Sequence, residues 1–540
     1  MRKLLISFLL FFLFSTSNLT GQEYKFRLFL SDKGASSYNV NNPEAFLSQR
    51  AIKRRQKQNI NIDETDLPIS EDYIRQITDL GCIVVAKSKW LKTVVVHCPD
   101  SALVEGLKAL PFVDDAKIVW AGDLTKIRYK AEFRRKRKKS DIPITPYGQG
   151  HAQIALNNGI ELHNAGYKGK GMHIAVIDAG FSGFKSISHF NNVDTLGSRD
   201  FVYKGMNMFD SSNHGTHVLS CMAANTEFEF VGTAPQASYW LLKTEDSASE
   251  FPVEEDYWVA AAEFADSVGV DLINTSLGYS RFDAPAVSYT YADMDGEKAF
   301  ISRGATMAAS KGIMLVGSAG NEGNKSFGKI TAPGDARNVL TVGAVKKDSI
   351  HSNFSSLGLS FDGRIKPDVM AMGTATTVID SYGDIIQSNG TSYSSPVMCG
   401  MVACLWEAYP KLTNTQLIDV LQRSSDRYNK PDSIYGYGIP DMKKAMELAA
   451  EYYSHVDDEI LTEKDRNFVY RADSGQVFIR VKNPADKKTY TVTITNLRGQ
   501  ILRAGTFSGE KAFDLKSTRR DVYIINIRGK KVNESVTLIF

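Results

Sequence analysis

The sequence predicts an α/β protein with a doubly wound, mostly parallel sheet, preceded by an α+β domain and followed by a β-sandwich. In residues 151–450, apolar segments such as MHIAVIDAG and GIMLVGSAG alternate with longer helical patterns, which is typical of buried parallel strands joined by helices. Residues 24–120 mix strand-like segments such as KTVVVHC with helix-like segments such as EDYIRQITDLG. Residues 466–540 contain only short strand-like segments separated by turns, as a β-sandwich does.

The composition is that of a globular protein, but the charge is divided unevenly along the chain. Of the 540 residues, 43% are hydrophobic and 23% are charged, which excludes disorder or coiled coil as the main state. The formal net charge of +3 combines +9 in residues 1–150 (25 Lys and Arg, 16 Asp and Glu), −10 in residues 151–450 (23 and 33) and +4 in residues 451–540 (16 and 12). This division indicates three parts with different roles.

The N-terminus has the pattern of a secretory signal peptide. The basic start MRK is followed by the apolar segment LLISFLLFFLF and then by small polar residues. The apolar segment is shorter than the roughly 20 residues that span a bilayer. We therefore predict a signal peptide over residues 1–21, no transmembrane segment, and a protein that is secreted or held at the cell surface.

A basic linker, residues 125–149, follows the predicted α+β domain of residues 22–124. Residues 125–139 contain nine Lys and Arg and one Glu, and prolines and glycines come next. This basic tract could be a solvated linker, a site of proteolytic processing or a nucleic-acid-binding segment. We favour the first two together, because no aromatic platform or folded basic face accompanies the tract. No nucleic acid partner is predicted.

The five cysteines are too few for a disulfide scaffold. Cys221, Cys399 and Cys404 lie in apolar helical patterns, so we predict that they are buried. Cys82 and Cys98 flank a predicted hairpin, and a disulfide between them is a hypothesis.

Three polar residues of the predicted α/β domain, residues 150–455, stand at the ends of its elements. Asp178 ends a strand-like segment, while His214 and Ser392 each begin a helical pattern. Each residue alone has an ordinary explanation as a helix cap or turn former. Together they supply the carboxylate, base and nucleophile of a Ser-His-Asp triad, in the chain order Asp, His, Ser.

The segments GMHIAVIDAGF, HGTHV and GTSYSSP resemble the three signature blocks of the subtilases, the subtilisin-like serine proteases. The resemblance covers about residues 150–450. It implies a secreted serine endopeptidase, made as a zymogen, that hydrolyses peptide bonds through an acyl-enzyme. In that reaction Asp178 would orient the imidazole, His214 would act as general base and then acid, and Ser392 would be the nucleophile.

The resemblance also implies the groups around the triad. The segment GSAGNEG resembles the block that supplies an amide to the oxyanion hole, which assigns that role to Asn321. Glu322 would lie near the floor of the primary specificity pocket, where an acid favours basic substrates. The implied substrate-binding residues are Ser276, Leu277, Gly278, Ala319 and Gly320.

No cofactor is expected for this chemistry and no metal ligand is assigned, although structural calcium is common in the family. The acidic loop at residues 293–297 is the best local candidate, but it lacks the length of an EF-hand loop and a solvated turn is favoured. The acidic run from Glu245 to Asp256 is interpreted as an exposed face. Its alternative role is to narrow the cleft or repel acidic substrates.

The flanking segments resemble parts of exported subtilases. The α+β domain corresponds to an inhibitory propeptide, and its sequence resembles leaders from bacteria with type IX secretion. Residues 466–540 resemble the C-terminal sorting domain of that pathway, which implies export through the periplasm; a generic β-sandwich module is the alternative. The expected partners are protein or peptide substrates, the chain's own propeptide and the type IX secretion machinery. The alternative function is a catalytically weak surface binding or adhesion protein on a subtilase fold.

Overall fold

A computed structural model describes residues 23–122, 145–203, 205–459, 467–473, 476–483, 486–496, 501–515, 522–529 and 532–539. The predicted signal peptide and the basic tract at 125–139 lie outside the described residues. The chain divides into two compact units, Met1–Met446 and Glu447–Phe540. In the described segments, no helix combines the length and the hydropathy needed to cross a membrane.

The N-terminal part is an α+β domain with a four-stranded antiparallel sheet. Its elements are β1 (Glu23–Leu30), α1 (Gln49–Lys57), α2 (Glu71–Asp79), β2 (Ile83–Ser88), β3 (Thr93–Cys98), α3 (Leu103–Lys108) and β4 (Val113–Gly122), with strand order β2-β3-β1-β4. The helices pack Ile77 and Leu107 against the buried face of the sheet. A disulfide joins Cys82 to Cys98, as hypothesised. Strand β4 was not predicted, because acidic and basic residues interrupt its apolar pattern.

The central part is built on a seven-stranded sheet in the order β13-β12-β11-β10-β5-β9-β6, with every neighbouring pair parallel. The strands of this part are β5 (His173–Asp178), β6 (Asp194–Asp200), β7 (Asn225–Thr226), β8 (Phe230–Val231), β9 (Ser238–Lys243), β10 (Leu272–Thr275), β11 (Met314–Ser318), β12 (Leu340–Val345), β13 (Val369–Met372), β14 (Thr376–Ile379) and β15 (Ile385–Ser388). The helices are α4 (His151–Ala155), α5 (Ile160–Asn164), α6 (His214–Ala223), α7 (Val253–Val268), α8 (Phe300–Ser310), α9 (Thr391–Ala408), α10 (Asn414–Ser424) and α11 (Met442–Glu459).

Both faces of this sheet are covered. On β5, Ala175 and Ile177 belong to a core shared with α7 and α8. The alternate residues Ile174 and Val176 are equally buried and point to the opposite face, because successive strand residues alternate in direction. The α/β doubly wound prediction is therefore confirmed. The two edge strands β6 and β13 were not predicted, since DTLGSRD is polar and VMAM is short.

The second unit contains two antiparallel sheets, ordered β16-β17-β20 and β19-β18-β21-β22. Their strands are β16 (Phe468–Asp473), β17 (Gln476–Val481), β18 (Tyr490–Asn496), β19 (Ile501–Phe507), β20 (Glu510–Asp514), β21 (Val522–Gly529) and β22 (Val532–Ile539). Val477 and Ile479 of one sheet share a core with Val492 and Ile525 of the other. This two-layer arrangement is that of a β-sandwich.

The α+β domain docks on α7 through buried charged groups. Arg27 Nε donates to Asp256 Oδ1 at 2.7 Å, Arg55 Nη2 donates to Asp266 Oδ2 at 2.8 Å, and the backbone N–H of Trp90 donates to Glu263 at 3.0 Å. The interpretation of the acidic run as an exposed face is wrong for its helical end. Glu254, Glu255 and Asp256 are only 1%, 0% and 3% exposed, because the domain and the loops around α7 cover them.

Candidate active site

Asp178 and His214 form the central polar pair of the site. Asp178 is the last residue of β5 and is only 1% exposed, and His214 is the first residue of α6. The Asp178 carboxylate oxygen Oδ1 lies 2.7 Å from His214 Nδ1 and accepts a second hydrogen bond from the Ala179 N–H at 2.7 Å. A carboxylate can only accept, so His214 carries its proton on Nδ1 and its Nε2 is the basic nitrogen of the neutral ring.

Ser392 is the second residue of α9, at the carboxyl edge of the parallel sheet. Its hydroxyl donates to the backbone carbonyl of Ser276 at 3.2 Å, and the Ser276 hydroxyl donates to the Ser392 carbonyl at 2.8 Å. Ser276 follows β10 and lines the same cavity as Asp178 and His214, which has a volume of about 490 Å³. Asp178 and His214 therefore line one cavity, and Ser392 is hydrogen-bonded to Ser276 in the lining of that cavity.

Asn321 lies beside the start of α9. Its Oδ1 accepts from the Thr391 N–H at 2.9 Å and from the Thr391 hydroxyl at 3.0 Å. These two bonds determine which way the amide faces and leave Nδ2 as the end of Asn321 that can donate. Because the first N–H groups of a helix have no partner within it, the Ser392 N–H offers a second donor nearby. Two donors of this kind suit a developing oxyanion.

The five predicted substrate-binding residues occupy two segments at the strand ends. The first segment, Ser276 to Gly278, follows β10 and lines the cavity. The second, Ala319 and Gly320, follows β11. Ala319 is fully buried. Its backbone N–H donates to the Val342 carbonyl, and its carbonyl accepts from the Thr331 N–H. Ala319 can therefore form part of a pocket wall, but its backbone is not free to hydrogen-bond with a substrate strand.

Gly320 has a structural reason to be glycine. Its φ of +100° lies in the left-handed region, and a Cβ there would stand 2.6 Å from the hydroxyl of Thr331. Next to it, the Glu322 carboxylate pairs with Lys325 at 2.8 Å, so its charge already has a partner within the chain.

The same cavity is also lined by an acidic wall, which was not assigned to the site from sequence. It consists of Glu245, Asp246, Glu250, Glu254 and Asp283. Burial raises the pKa of Glu245 to about 7 and that of Glu250 to about 8, with neighbouring carboxylates adding to the increase. The acidic run from Glu245 to Asp256 was the feature of the sequence that indicated this wall. Of the two interpretations given to the run, the alternative role at the cleft is the one that matches its position.

Tyr393 is a second neighbour of the site that the motif comparison did not give a role. Its ring is only 6% exposed and lies 6.0 Å from the His214 ring and 6.2 Å from the His217 ring, measured between centroids. Its hydroxyl accepts from Ser388 at 3.1 Å. Tyr393 thus packs beside the rings of both His214 and His217.

The loop considered for calcium uses its carboxylates within the chain. Asp293 Oδ2 accepts from the Thr290 N–H, Asp295 Oδ1 accepts from the Glu297 and Lys298 N–H groups, and Glu297 pairs with Arg337. This arrangement fits a turn better than a calcium site, which needs six to eight converging oxygens. In the described ranges, the convergent acidic group is instead Glu245, Glu250 and Glu254.

Two family models match the chain. The model described as "Subtilase family" matches residues 169–438, and the model described as "Peptidase S8 propeptide domain, Bacteroidota" matches residues 25–143. The chain is 31% identical to Subtilisin NAT of Bacillus subtilis subsp. natto over 303 residues, which is 56% of this chain and 71% of that protein. It is 30% identical to Subtilisin of Bacillus pumilus, covering 56% of this chain and 98% of that protein. Among solved structures, MycP1 without its N-terminal propeptide aligns with a TM-score of 0.44 and 20% identity, over 55% of this chain and 96% of that one.

Proposed function

Because the chain belongs to the subtilase family of serine endopeptidases and has a Bacteroidota S8 propeptide, we propose that Asp178, His214 and Ser392 are its catalytic triad. The observation that carries this proposal is the 2.7 Å contact between Asp178 and His214 at a cavity whose lining residue Ser276 is hydrogen-bonded to Ser392. The three proposed triad residues and Asn321 are all present, which favours an active peptidase over an adhesion protein on the same fold.

In the proposed reaction, Ser392 Oγ attacks the scissile carbonyl carbon and its proton passes to His214 Nε2. Asp178 remains ionised and stabilises the imidazolium through Nδ1. Asn321 Nδ2 and the Ser392 N–H donate to the carbonyl oxygen as it gains charge. Collapse of the tetrahedral intermediate breaks the C–N bond, and His214 gives its proton to the leaving amine. A water molecule then hydrolyses the acyl-enzyme by the same steps.

The substrate is proposed to bind as an extended strand along Ser276–Gly278, with Ala319 and Gly320 as one wall of the pocket nearest the scissile bond. Every group that this reaction uses belongs to the chain, so we propose that catalysis needs no cofactor. Peptidase activity that survives dialysis against a chelator is the expected result. Loss of activity that calcium restores would instead indicate a structural ion.

The α+β domain is proposed to inhibit the enzyme before maturation, and processing is proposed to occur in the linker of residues 125–149. The buried contacts of Arg27, Arg55 and Trp90 with α7 support a tight complex. We further propose that residues 1–21 direct export and that residues 466–540 are a sorting domain for type IX secretion. Deleting residues 466–540 should leave peptidase activity intact and retain the enzyme in the periplasm.

The triad is tested by Ser392→Ala in the full-length chain. Both peptide hydrolysis and labelling by a fluorophosphonate probe should disappear. The matched control is Ser394→Ala, two residues further along α9, whose hydroxyl donates to the Thr391 carbonyl and which should still be labelled. Hydrolysis by the Ser392→Ala variant would refute the assignment. If only cleavage of the linker persisted, a different protease would perform maturation.

A further inference from the structure

The cavity beside the proposed triad is lined by two chemically different sets of residues. Asp178, His214 and the segment Ser276–Gly278 are one set, and the acidic wall of Glu245, Asp246, Glu250, Glu254 and Asp283 is the other. Among the lining residues that the structure describes there is no Lys or Arg. A cavity of about 490 Å³ with this lining can hold a long side chain next to the reacting groups.

No described Lys or Arg forms an ion pair with the carboxylates of the acidic wall, although the buried Lys25, which donates to the Tyr257 hydroxyl, lies near enough to Asp246 and Glu254 to interact with their charges. Ligand-type oxygens of Glu245, Glu250 and Glu254 lie within 4.8 Å of one another. Glu245 accepts from the Tyr279 hydroxyl and Glu254 from the Asp246 N–H, but the Glu250 carboxylate accepts no hydrogen bond from any described residue. Ionising these neighbouring carboxyl groups together is costly, and a cation placed among them would offset that cost.

A buried carboxylate oxygen at the same cavity also indicates a place for a cation. Asp178 is 1% exposed, and its Oδ2 has no hydrogen-bond partner among the residues described here. Asp178 also lies close enough to Glu245 for its charge to raise the Glu245 pKa. Carboxyl groups that can face a cation therefore extend from the acidic wall to Asp178.

The chain itself carries a complementary segment. Trp120, near the end of β4, packs against Phe251 with ring centroids 6.3 Å apart, and Phe251 directly follows Glu250. The basic tract begins with Lys126, six residues after Trp120. An extended chain of that length reaches roughly 20 Å. The nine Lys and Arg of residues 125–139 therefore begin within reach of the acidic wall.

We propose that the acidic wall is a specificity subsite that binds a Lys or Arg side chain of the peptide substrate beside the scissile bond, and that the basic tract at 125–139 is its first occupant during maturation. This subsite is separate from the pocket walled by Ala319 and Gly320, where Glu322 is already paired with Lys325. The inference rests on the proposed function, because it describes substrate choice by the same site.

The test uses the mature enzyme and a peptide covering residues 123–139, in which each Lys or Arg is replaced in turn by Gln. Cleavage positions are read by mass spectrometry, and kcat/KM is measured for each peptide. At one position relative to the cleaved bond, the basic residue should be preferred over Gln at least tenfold. Glu250→Gln should reduce this ratio by at least fivefold, and added salt should reduce it for the wild-type enzyme.

Two control variants separate this subsite from others. Glu297→Gln, an exposed acid paired with Arg337, should keep the wild-type ratio. Glu322→Gln should also keep it, and a preference lost in Glu322→Gln but retained in Glu250→Gln would overturn the proposal. The proposal would also be overturned if wild-type enzyme that still cleaves peptides and reacts with fluorophosphonate showed no preference for basic residues. Loss of that labelling would refute the proposed function instead. A Glu250→Gln change that alters calcium-dependent thermal stability but not the ratio would make the cluster a metal site and the proposal wrong.

Discussion

The buried ion cluster between the α+β domain and α7 should control how slowly the cleaved propeptide leaves the enzyme. Asp266 of α7 accepts from both Arg54 and Arg55 of α1, and Arg55 also binds Asp66 at 3.0 Å. The side chains of Arg54, Arg55, Asp66 and Asp266 are 2%, 1%, 0% and 0% exposed. The perturbation is Asp266→Asn, which leaves two buried guanidinium groups facing a single remaining carboxylate.

The expected effect follows from the cost of an uncompensated buried charge. Removing one partner of a buried pair costs about 3–5 kcal/mol. Asparagine keeps one acceptor oxygen, so we take the lower figure of about 3 kcal/mol. At about 1.4 kcal/mol per factor of ten, the propeptide should dissociate roughly 150-fold faster. The matched control is Asp271→Asn, since Asp271 pairs with Arg50, whose side chain is 36% exposed. That partly solvated pair should contribute less than about 1 kcal/mol, or about fivefold.

The assay begins with precursor that has been cleaved in the linker but still holds its propeptide. The complex is diluted, and the appearance of peptidase activity gives the dissociation rate. Asp266 lies outside the proposed active site, so the released variant should reach the wild-type kcat/KM, which also reports that it is folded. The reasoning is refuted if Asp266→Asn releases its propeptide within fivefold of the wild-type rate, or if Asp271→Asn has an equal effect.

Three further predictions concern single features of the fold and site. Asn321→Ala should lower kcat by about 10²–10³ with little change in KM, because its amide donor acts only on the transition state; an unchanged kcat would remove Asn321 from the oxyanion hole. Burial holds the pKa of His163 at about 4, below its usual value of 6.5, so the native state binds fewer protons than the unfolded state between these pH values. In the Ser392→Ala precursor, the free energy of unfolding should therefore rise by up to about 3 kcal/mol from pH 4 to 6.5, and urea titrations of His163→Gln should show a smaller rise. Replacing both Cys82 and Cys98 by Ser should destabilise that precursor by about 3 kcal/mol, since the disulfide closes a loop with a sequence separation of 16; equal urea midpoints would contradict this.

Much of the fold could be predicted because its signals are local. Apolar segments ending in Asp, Ser or Gly identified the five central strands, and the ends of those strands carry Asp178, Ser276 and Asn321. The edge strands were missed because β6 is exposed and polar, and β4 carries charged residues through its middle. Such strands are recognised by what they pair with, which no local pattern contains.

The burial of the acidic run could not be predicted from the sequence either. By composition, Glu254, Glu255 and Asp256 belong on the surface, and charged residues are almost never buried unless they are paired. Here the partners are far away in the chain. Arg27, which binds Asp256, lies 229 residues earlier, so nothing near the run could signal its burial. The same folding places the neighbouring Glu245 and Glu250 in the wall of the cavity.

The sequence by itself therefore determined the fold class and the order of the segments, because these depend on residue type and local periodicity, and its resemblance to the subtilase motifs implied the proposed triad. The tertiary structure decided which charges are buried and which face the substrate. Burial and charge pairing depend on distances between segments that lie hundreds of residues apart, and only the packing of the α+β domain and the loops against α7 sets those distances. The acidic middle of the chain is accordingly two different surfaces, one that holds the propeptide and one that faces the proposed catalytic groups.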